Sequence, residues 1–494
     1  MKDIILSITV FLSGSAIMVL ELMGTRILAP YFGTTIDILT SIISVVLTAL
    51  SIGYWLSGKI ADKKPTYKNL ILILFFASLT TILLFSFIKE VLTYLIKINI
   101  DNRIAVLIGS IIFFGPVNIL LGMVSPYVIR LKMNKINQSG SVSGTFYAVG
   151  TIGSIFGTVL TGFSLIPLMP VDRIVYLVGI TLFITSLLLA RKKIDGRIII
   201  IFITLFILLS VIFFRTKLNN KFLLDIDSVY QHISIVDKKI KMGQQIINGR
   251  YLLLNKKGCV SGMDLRKPNS LIFPYTKYFI LGRYFLPKAK NFLMIGGGGY
   301  SFPKYLLANY PDATIDVVEI DPKMTEIAKK YFYLKDSPRL HIYTEDGRVY
   351  LNKNTKKYDV ILMDAFGDNL IPFPLTTKEV LIEVRNNLTT DGLVITNIIS
   401  AMEGPKSLFF KSEYLTYKSI FPSVLTFPVK DKNDKKIIQN IIFVAMKNKN
   451  FTIPKSKDTN SEFEKYLNHL IKIDVEDGFI LTDNYAPVEN MFMK

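Results

Sequence analysis

The chain has 494 residues, half of them hydrophobic, a formal net charge of +20 and a mean hydropathy of +0.41. That length accommodates about two to four domains, and that hydropathy excludes a purely water-soluble chain. A single cysteine, Cys259, excludes an intrachain disulfide and a cysteine-based metal centre, and His232, His341 and His469 are scattered without metal-ligand spacing.

The basic balance does not read as nucleic-acid binding. Lysines are spread along the whole chain, with no basic stripe interleaved with aromatics and no nucleic-acid motif. Such lysines suit a domain beside an anionic membrane surface. Nearly all the long apolar runs lie in residues 1–214.

In chain order, a spanning helix needs about 20 mostly apolar residues. Seven segments qualify, near 4–26, 38–58, 69–88, 104–129, 143–167, 171–190 and 197–214. The first has no small-residue cleavage site and reads as the first helix of a bundle. Basic residues concentrate in the loops 59–68, 130–137 and 191–197, which places those loops and the N-terminus in the cytoplasm. Seven crossings then put the rest of the chain outside, whereas Arg215, Lys217 and Lys221 argue for inside. A re-entrant segment, or an eighth membrane element in "VLTYLIKINI" at 91–100, would reconcile the two. Glu21 and Arg26 lie in or at the end of the first span and read as an ion pair near the interface. Gly144, Gly150, Gly153, Gly157 and Gly162 in the fifth span permit close helix packing.

Residues 222–262 alternate in short segments broken by turns at Gly258 and Gly262, the pattern of a small β-meander. "FPYTKYFILGRYFL" then reads as helical. After it, strands and helices alternate: "NFLMIG", "PKYLLANY", "TIDVVEID", "PKMTEIAKKYF", "RLHIYTEDG", "YDVILMDAF", "TTKEVLIEVRNNL", "GLVITNII". This predicts a doubly wound, Rossmann-like parallel sheet with ligands at the carboxyl ends of its strands. The expected organisation is a transmembrane bundle at 1–214, a β-hairpin subdomain at 215–265 and an α/β domain at 266–494.

Those strand ends carry the chemistry. The first runs into Gly296, Gly297, Gly298 and Gly299, where a nucleoside can approach the backbone. Glu319 follows about 20 residues later, the place of a carboxylate that grips ribose hydroxyls. Asp346, before Gly347, is placed to accept from an adenine amino group. Asp364 ends the fourth strand, and Asp368 follows it. Acids at so many strand ends suit adenosine carrying a cationic group better than a pyrophosphate.

The soluble half resembles the spermidine synthases, the polyamine aminopropyltransferases. The resemblance lies in "YQHISIV" (230–236), "PYTKYF" (274–279), "IGGGG" (295–299), "VVEID" (317–321), "EDGR" (345–348), "YDVILMDAFG" (358–367) and "IPFPLTTKEV" (371–380). With "ELMGTRILAPYFGTTIDILTSIISVVLTALSIGYWLSGKIAD" (21–62) and "LTDNYAPVENM" (481–491), the whole chain resembles membrane-fused spermidine synthase-like proteins. The resemblance implies transfer of an aminopropyl group from decarboxylated S-adenosylmethionine to an amine such as putrescine, with release of methylthioadenosine. It implies no prosthetic group, only an adenosyl co-substrate. It places Gln231 near the donor, Tyr275 near the aminopropyl group or amine, Glu319 on ribose, Asp346 on adenine and Asp364 as the catalytic acid–base. Asp368 and Tyr300 are weaker candidates for the acceptor side. It also implies a multi-pass protein of the cell membrane, with a cytoplasmic catalytic domain because the donors are made in the cytosol. A homodimer is among the expectations.

Three departures from the family pattern fall on the amine side. The glycine loop has Gly299 and Tyr300 where the family carries an acid. Tyr275-Thr276 replaces a Tyr-His pair. Asp364-Ala365-Phe366-Gly367-Asp368 alters the loop of paired acids. These leave two alternatives open: use of S-adenosylmethionine itself without putrescine, and a transporter or sensor whose adenosyl domain turns nothing over.

Overall fold

The computed structural model describes residues 2–32, 36–63, 65–98, 100–133, 139–190, 194–215, 222–242, 245–255, 258–365, 372–453, 462–475, 477–488 and 491. The chain divides into two compact units. The first is Met1–Lys221 with Asp225–Ile233 and Asn255–Lys257; the second is Phe222–Leu224, Ser234–Leu254 and Gly258–Lys494.

The first unit is helical. Its helices are α1 (Lys2–Phe32), α2 (Ile36–Lys63), α3 (Tyr67–Ser86), α4 (Ile88–Lys97), α5 (Asn102–Lys132), α6 (Ser139–Leu160), α7 (Ile166–Leu168), α8 (Val171–Ala190) and α9 (Gly196–Arg215). A π-helical turn, Thr161–Leu165, joins α6 to α7. Among the described residues, seven helices are long and apolar enough to cross a membrane, at the seven predicted places. The segment 91–100 falls largely in α4, which has ten residues. At 1.5 Å per residue it reaches only about 15 Å, half of a bilayer core, so it is not an eighth crossing.

Within this unit α2 packs along α5, α1 along α6 and α3 along α8. Glycines allow the close approach of α1 and α6: a Cβ at Gly157 would stand 2.6 Å from the Ser15 carbonyl oxygen. Stacked aromatics fill the other seams, with ring centroids 3.6 Å apart for Phe75 and Phe202 and 4.1 Å apart for Phe183 and Phe206. The expected Glu21–Arg26 pair is not among the ion pairs of the described residues. Arg26 instead donates from Nη1 to the Ser228 carbonyl at 2.5 Å and from Nη2 to that of Val229.

The meander strands are β1 (Leu224–Asp227), β2 (His232–Met242), β3 (Gln245–Leu254) and β4 (Gly258–Asp264), in sheet order β1-β2-β3-β4. In the second unit, α10 (Pro274–Lys277) and α11 (Leu281–Phe285) precede the main alternation. It runs β5 (Asn291–Ile295), α12 (Ser301–Asn309), β6 (Thr314–Glu319), α13 (Pro322–Tyr331), β7 (Leu340–Thr344), α14 (Gly347–Lys353), β8 (Tyr358–Met363), α15 (Lys378–Asn387), β9 (Leu388–Ser400), α16 (Leu408–Ile420), β10 (Ser423–Pro428), β11 (Gln439–Met446) and α17 (Glu462–Leu467).

These strands form a seven-stranded sheet of order β10-β11-β9-β8-β5-β6-β7. β5 pairs in parallel with both β6 and β8, β6 with β7, and β8 with β9; β11 is antiparallel to β9 and β10. Alternate residues serve alternate faces. Phe292, Met294, Leu362, Ile395 and Ile442 pack with Phe279, Phe302 and Leu306 on one side. Leu293, Ile295, Ile361, Val394 and Phe443 pack with Val380, Phe409 and Tyr417 on the other. With both faces covered, the central strands are apolar throughout. The strand order reverses between β5 and β8, which opens a crevice at their carboxyl ends.

Candidate active site

β5 ends at Ile295, and the chain turns through Gly296 to Tyr300 into α12. Gly296 has φ +94°, and a Cβ there would collide with the Asp364 carbonyl oxygen. Only glycine combines that conformation with that approach. Gly297 and Gly298 present their N–H groups to Glu319, whose Oε2 accepts at 2.8 and 3.3 Å; Oε1 accepts from the Asp321 N–H at 3.0 Å. Glu319 therefore ties the glycine turn of β5 to the end of β6. Burial pushes its carboxyl above the usual range, against those backbone bonds.

The third and fourth strand ends meet the same crevice. Asp346 caps α14, its Oδ1 accepting from the N–H groups of Arg348 at 2.8 Å and Val349 at 3.1 Å. Gly347 lies against the end of β5, where a Cβ would stand 2.6 Å from Ile295 Cγ2. Asp364 follows β8 directly, its N–H donating to the Ile295 carbonyl at 2.9 Å. Its carboxyl keeps some open surface but is crowded by protein, and that desolvation raises it to about 7. Hydrogen bonds from Asn397 and Tyr275 oppose the rise. Asn397 Nδ2 donates to Oδ1 at 3.2 Å, and the Tyr275 hydroxyl lies 3.5 Å from Oδ2 and 3.3 Å from the Val260 carbonyl.

The fold thus brings together Gly296, Gly297, Gly298, Glu319, Asp346, Gly347, Asp364 and Tyr275 of the residues expected from sequence. Gln231 falls in the first unit, in a turn where its carbonyl accepts from the Ser228 N–H at 2.9 Å. Tyr300 is wholly buried, with its hydroxyl 2.7 Å from that of Thr325. It supports the glycine turn from the core. Asp368 lies outside the described residues. Among the described residues, no three His, Cys, Asp or Glu side chains are grouped to hold a metal ion.

Sequence reasoning missed three contributors. Asn397 on β9 holds Asp364 and is itself held by Asn440 of β11, whose Nδ2 donates to its Oδ1 at 2.9 Å. An amide inside the apolar run "LVITNII" is the signal that marks it. Ser261 fills the space beside Gly299: a Cβ at 299 would lie 2.6 Å from its Oγ. No local pattern marks Ser261, which reaches the turn from β4. Arg348 joins three motif stretches that are distant in sequence. It donates to the Pro374 carbonyl and Thr377 Oγ1, each at 3.0 Å, and pairs with Asp483 at 2.8 Å.

Residues 279–428 match the family model of the spermine/spermidine synthase domain. The chain is 35% identical over 175 residues to the polyamine aminopropyltransferase of Vibrio vulnificus (strain CMCP6), covering 35% of this chain and 57% of that one. It is 31% identical over 226 residues to a probable polyamine aminopropyl transferase of Bifidobacterium longum (strain NCC 2705), covering 42% and 49%. It is also 30% identical over 142 residues, 26% of this chain and 20% of the relative, to the human eEF1A lysine and N-terminal methyltransferase. The chain thus spans about half the length of the first two relatives. Among solved structures, a spermidine synthase in complex with the transition-state analogue AdoDATO aligns at 20% identity and a TM-score of 0.40, covering 51% of this chain and 85% of that one. Residues 279–428 of the second unit thus match a spermine/spermidine synthase domain, polyamine aminopropyltransferases are among the proteins the chain is similar to, and this stretch follows helices that are apolar enough for membrane spans.

Proposed function

We propose that the chain is a membrane-bound aminopropyltransferase of the spermidine synthase type. The observation that carries this reading is the carboxyl of Asp364. It stands at the switch point beside the glycine turn, shared by Tyr275 and Asn397 and poised near neutrality. A general base works best with a pKa near the working pH.

The reaction asks little covalent chemistry of the protein. The donor is a sulfonium, so the carbon next to sulfur is already activated. A neutral amine nitrogen forms the new bond to that carbon while the carbon–sulfur bond breaks and its electron pair stays on sulfur. Methylthioadenosine leaves, and the proton lost by the amine passes to Asp364. Alignment of nitrogen, carbon and sulfur supplies most of the acceleration. Glu319 is assigned to the ribose hydroxyls, Asp346 to the adenine amino group, and the Tyr275 ring and hydroxyl to the aminopropyl side. The seven apolar helices are assigned to the cell membrane, with the catalytic unit facing the cytosol.

One observation favours a second reading, use of S-adenosylmethionine itself. The wall beside Gly299 is the neutral Ser261 hydroxyl, where an acid would repel the donor's carboxylate. The test is incubation of the full chain in detergent with each donor, with and without putrescine. Methylthioadenosine formed only from the decarboxylated donor plus amine supports the first reading, and its release from S-adenosylmethionine alone supports the second. Binding of either donor with no product rejects both in favour of a non-catalytic domain. Asp364→Asn should abolish product while retaining donor binding; unchanged turnover refutes the assigned base.

A further inference from the structure

Among the described residues of the first unit, Glu21, Asn118 and Thr161 each keep a side-chain oxygen without a partner at one depth; Ser110 Oγ is likewise buried and unpartnered but lies about two turns away along α5. Glu21 lies well inside α1, and among the described residues no hydrogen bond or ion pair engages it. Asn118 of α5 is fully buried; its Nδ2 donates to the Phe114 carbonyl at 2.9 Å, and its Oδ1 has no partner. Thr161 opens the π-helical turn after α6 and is fully buried, with Oγ1 unpartnered. Thr151 and Thr158 on the same helix instead donate to carbonyls one turn back.

Close contacts fix the registers. α1 and α6 run parallel, with Gly150 against Val10, Gly153 against Phe11 and Gly157 against Ser15. Thr161 continues that stripe by one more turn and so lies opposite α1 near residue ~18 or ~19. α1 and α5 run antiparallel, with Gly24 against Phe114 and Leu28 against Gly109, while Val10 and Ser125 both approach Gly150. Interpolation between those contacts puts Asn118 opposite α1 near residue ~19. Phe114, Asn118 and Ser125 share one face of α5, and Val10, Gly14 and Glu21 share one face of α1. Side chains lean toward the N-terminus of their own helix, so Glu21 and Asn118, on antiparallel helices, lean toward each other's level. The three polar groups therefore fall within about one helical turn, ~5 Å, along the bundle.

Their chemistry is rich in acceptors. An ionised carboxylate and the Asn118 oxygen only accept, and the Thr161 hydroxyl can turn its O–H aside to a neighbouring acceptor and present its oxygen lone pairs. Buried acceptors around a carboxylate complement a small cation. A carboxyl inside a membrane span marks a site by default, and π-turns recur at such sites.

We propose that Glu21, Asn118 Oδ1 and Thr161 Oγ1 form a binding site for a small monovalent cation, a primary alkylammonium or sodium, inside the helical bundle. The inference rests on the reading of the bundle as membrane-spanning. It is independent of the chemistry assigned to the second unit.

The test is labelling of Glu21 by dicyclohexylcarbodiimide in the full chain reconstituted in liposomes, read by mass spectrometry. Labelling is compared in sodium chloride, n-propylammonium chloride and choline chloride. Choline carries no N–H and is too bulky for a site of three oxygens. An occupied site leaves little free carboxyl, so sodium or propylammonium should slow labelling about tenfold relative to choline. Which of the two protects identifies the cation. Asn118→Leu and Thr161→Val should still label in choline and should lose the protection. Equal labelling in all three salts, no labelling of Glu21 in choline, or protection that survives in both variants overturns the site. Release of the chain from membranes by alkaline carbonate overturns the membrane reading and the site with it. Retention with equal labelling overturns the site alone.

Discussion

Replacing Asn397 with Leu removes one hydrogen-bond donor from the Asp364 carboxylate and the acceptor of the half-buried Asn440 amide, and leaves a side chain that suits the face shared with Ile395 and Ile442. A hydrogen bond to a charged acceptor is worth about 1.5–3 kcal/mol. At 3.2 Å this one belongs at the weak end of that range. Since ~1.4 kcal/mol is one pKa unit, the loss should raise the Asp364 carboxyl by about one unit. It should move from about 7 to about 8. At pH 7 the fraction ionised then falls from about one half to about one tenth, so turnover should drop about fivefold and recover by pH ~9. The assay is methylthioadenosine release by the full chain at saturating donor and amine, from pH ~6 to ~10. The ionisation of the amine affects both proteins alike and cancels in the ratio of variant to wild type. Asn397→Gln, which keeps a donor, should restore part of the acid limb. A uniform loss at every pH, with the limb unmoved, would make Asn397 a packing residue and refute its action through Asp364.

Two further predictions concern an acid the reaction does not use and the altered glycine turn. Glu413 on α16 is fully buried with both oxygens unpartnered among the described residues, and burial holds its carboxyl well above the usual range. The folded state then binds that proton more tightly than the unfolded chain, whose reference is 4.5, so stability is fullest below that value and falls as pH rises through it. Glu413→Gln should remove this dependence, with a melting-temperature advantage that widens from acidic to alkaline pH; a constant difference would contradict it. Gly299→Asp alone should lower both stability and activity, because its Cβ meets Ser261 Oγ at 2.6 Å. The double variant Gly299→Asp with Ser261→Gly should fold and shift kcat/KM toward the decarboxylated donor by about tenfold or more, as a new carboxylate faces either an ammonium or a like charge. An unchanged donor ratio in a folded double variant would separate position 299 from donor choice.

Much of this protein is legible in its sequence because the physics behind it is local. A run of apolar residues long enough for a bilayer is visible without any neighbour, and the described residues include seven such helices where seven runs occur. Strand–glycine–helix alternation likewise announces a parallel sheet, and the residue after each strand falls at one edge by topology alone. That is why Gly296, Glu319, Asp346 and Asp364 could be named together. The antiparallel strand β11, in contrast, inserts between β10 and β9, and no local pattern assigned that pair to the sheet.

Tertiary structure decided what each polar group does, since a side chain's role depends on which other groups share its burial. Sequence offered Glu21 a partner in Arg26, five positions on; the fold turns Arg26 to the carbonyls of Ser228 and Val229 instead. Tyr300 looked like a substrate contact beside the glycines and is a core residue bonded to Thr325. Asn397, unmarked in function, donates to the Asp364 carboxylate from a neighbouring strand. Composition and period fixed the elements and the edge where the chemistry collects. Only the packing of distant segments determined which carboxyls are paired and which are left without partners among the described residues.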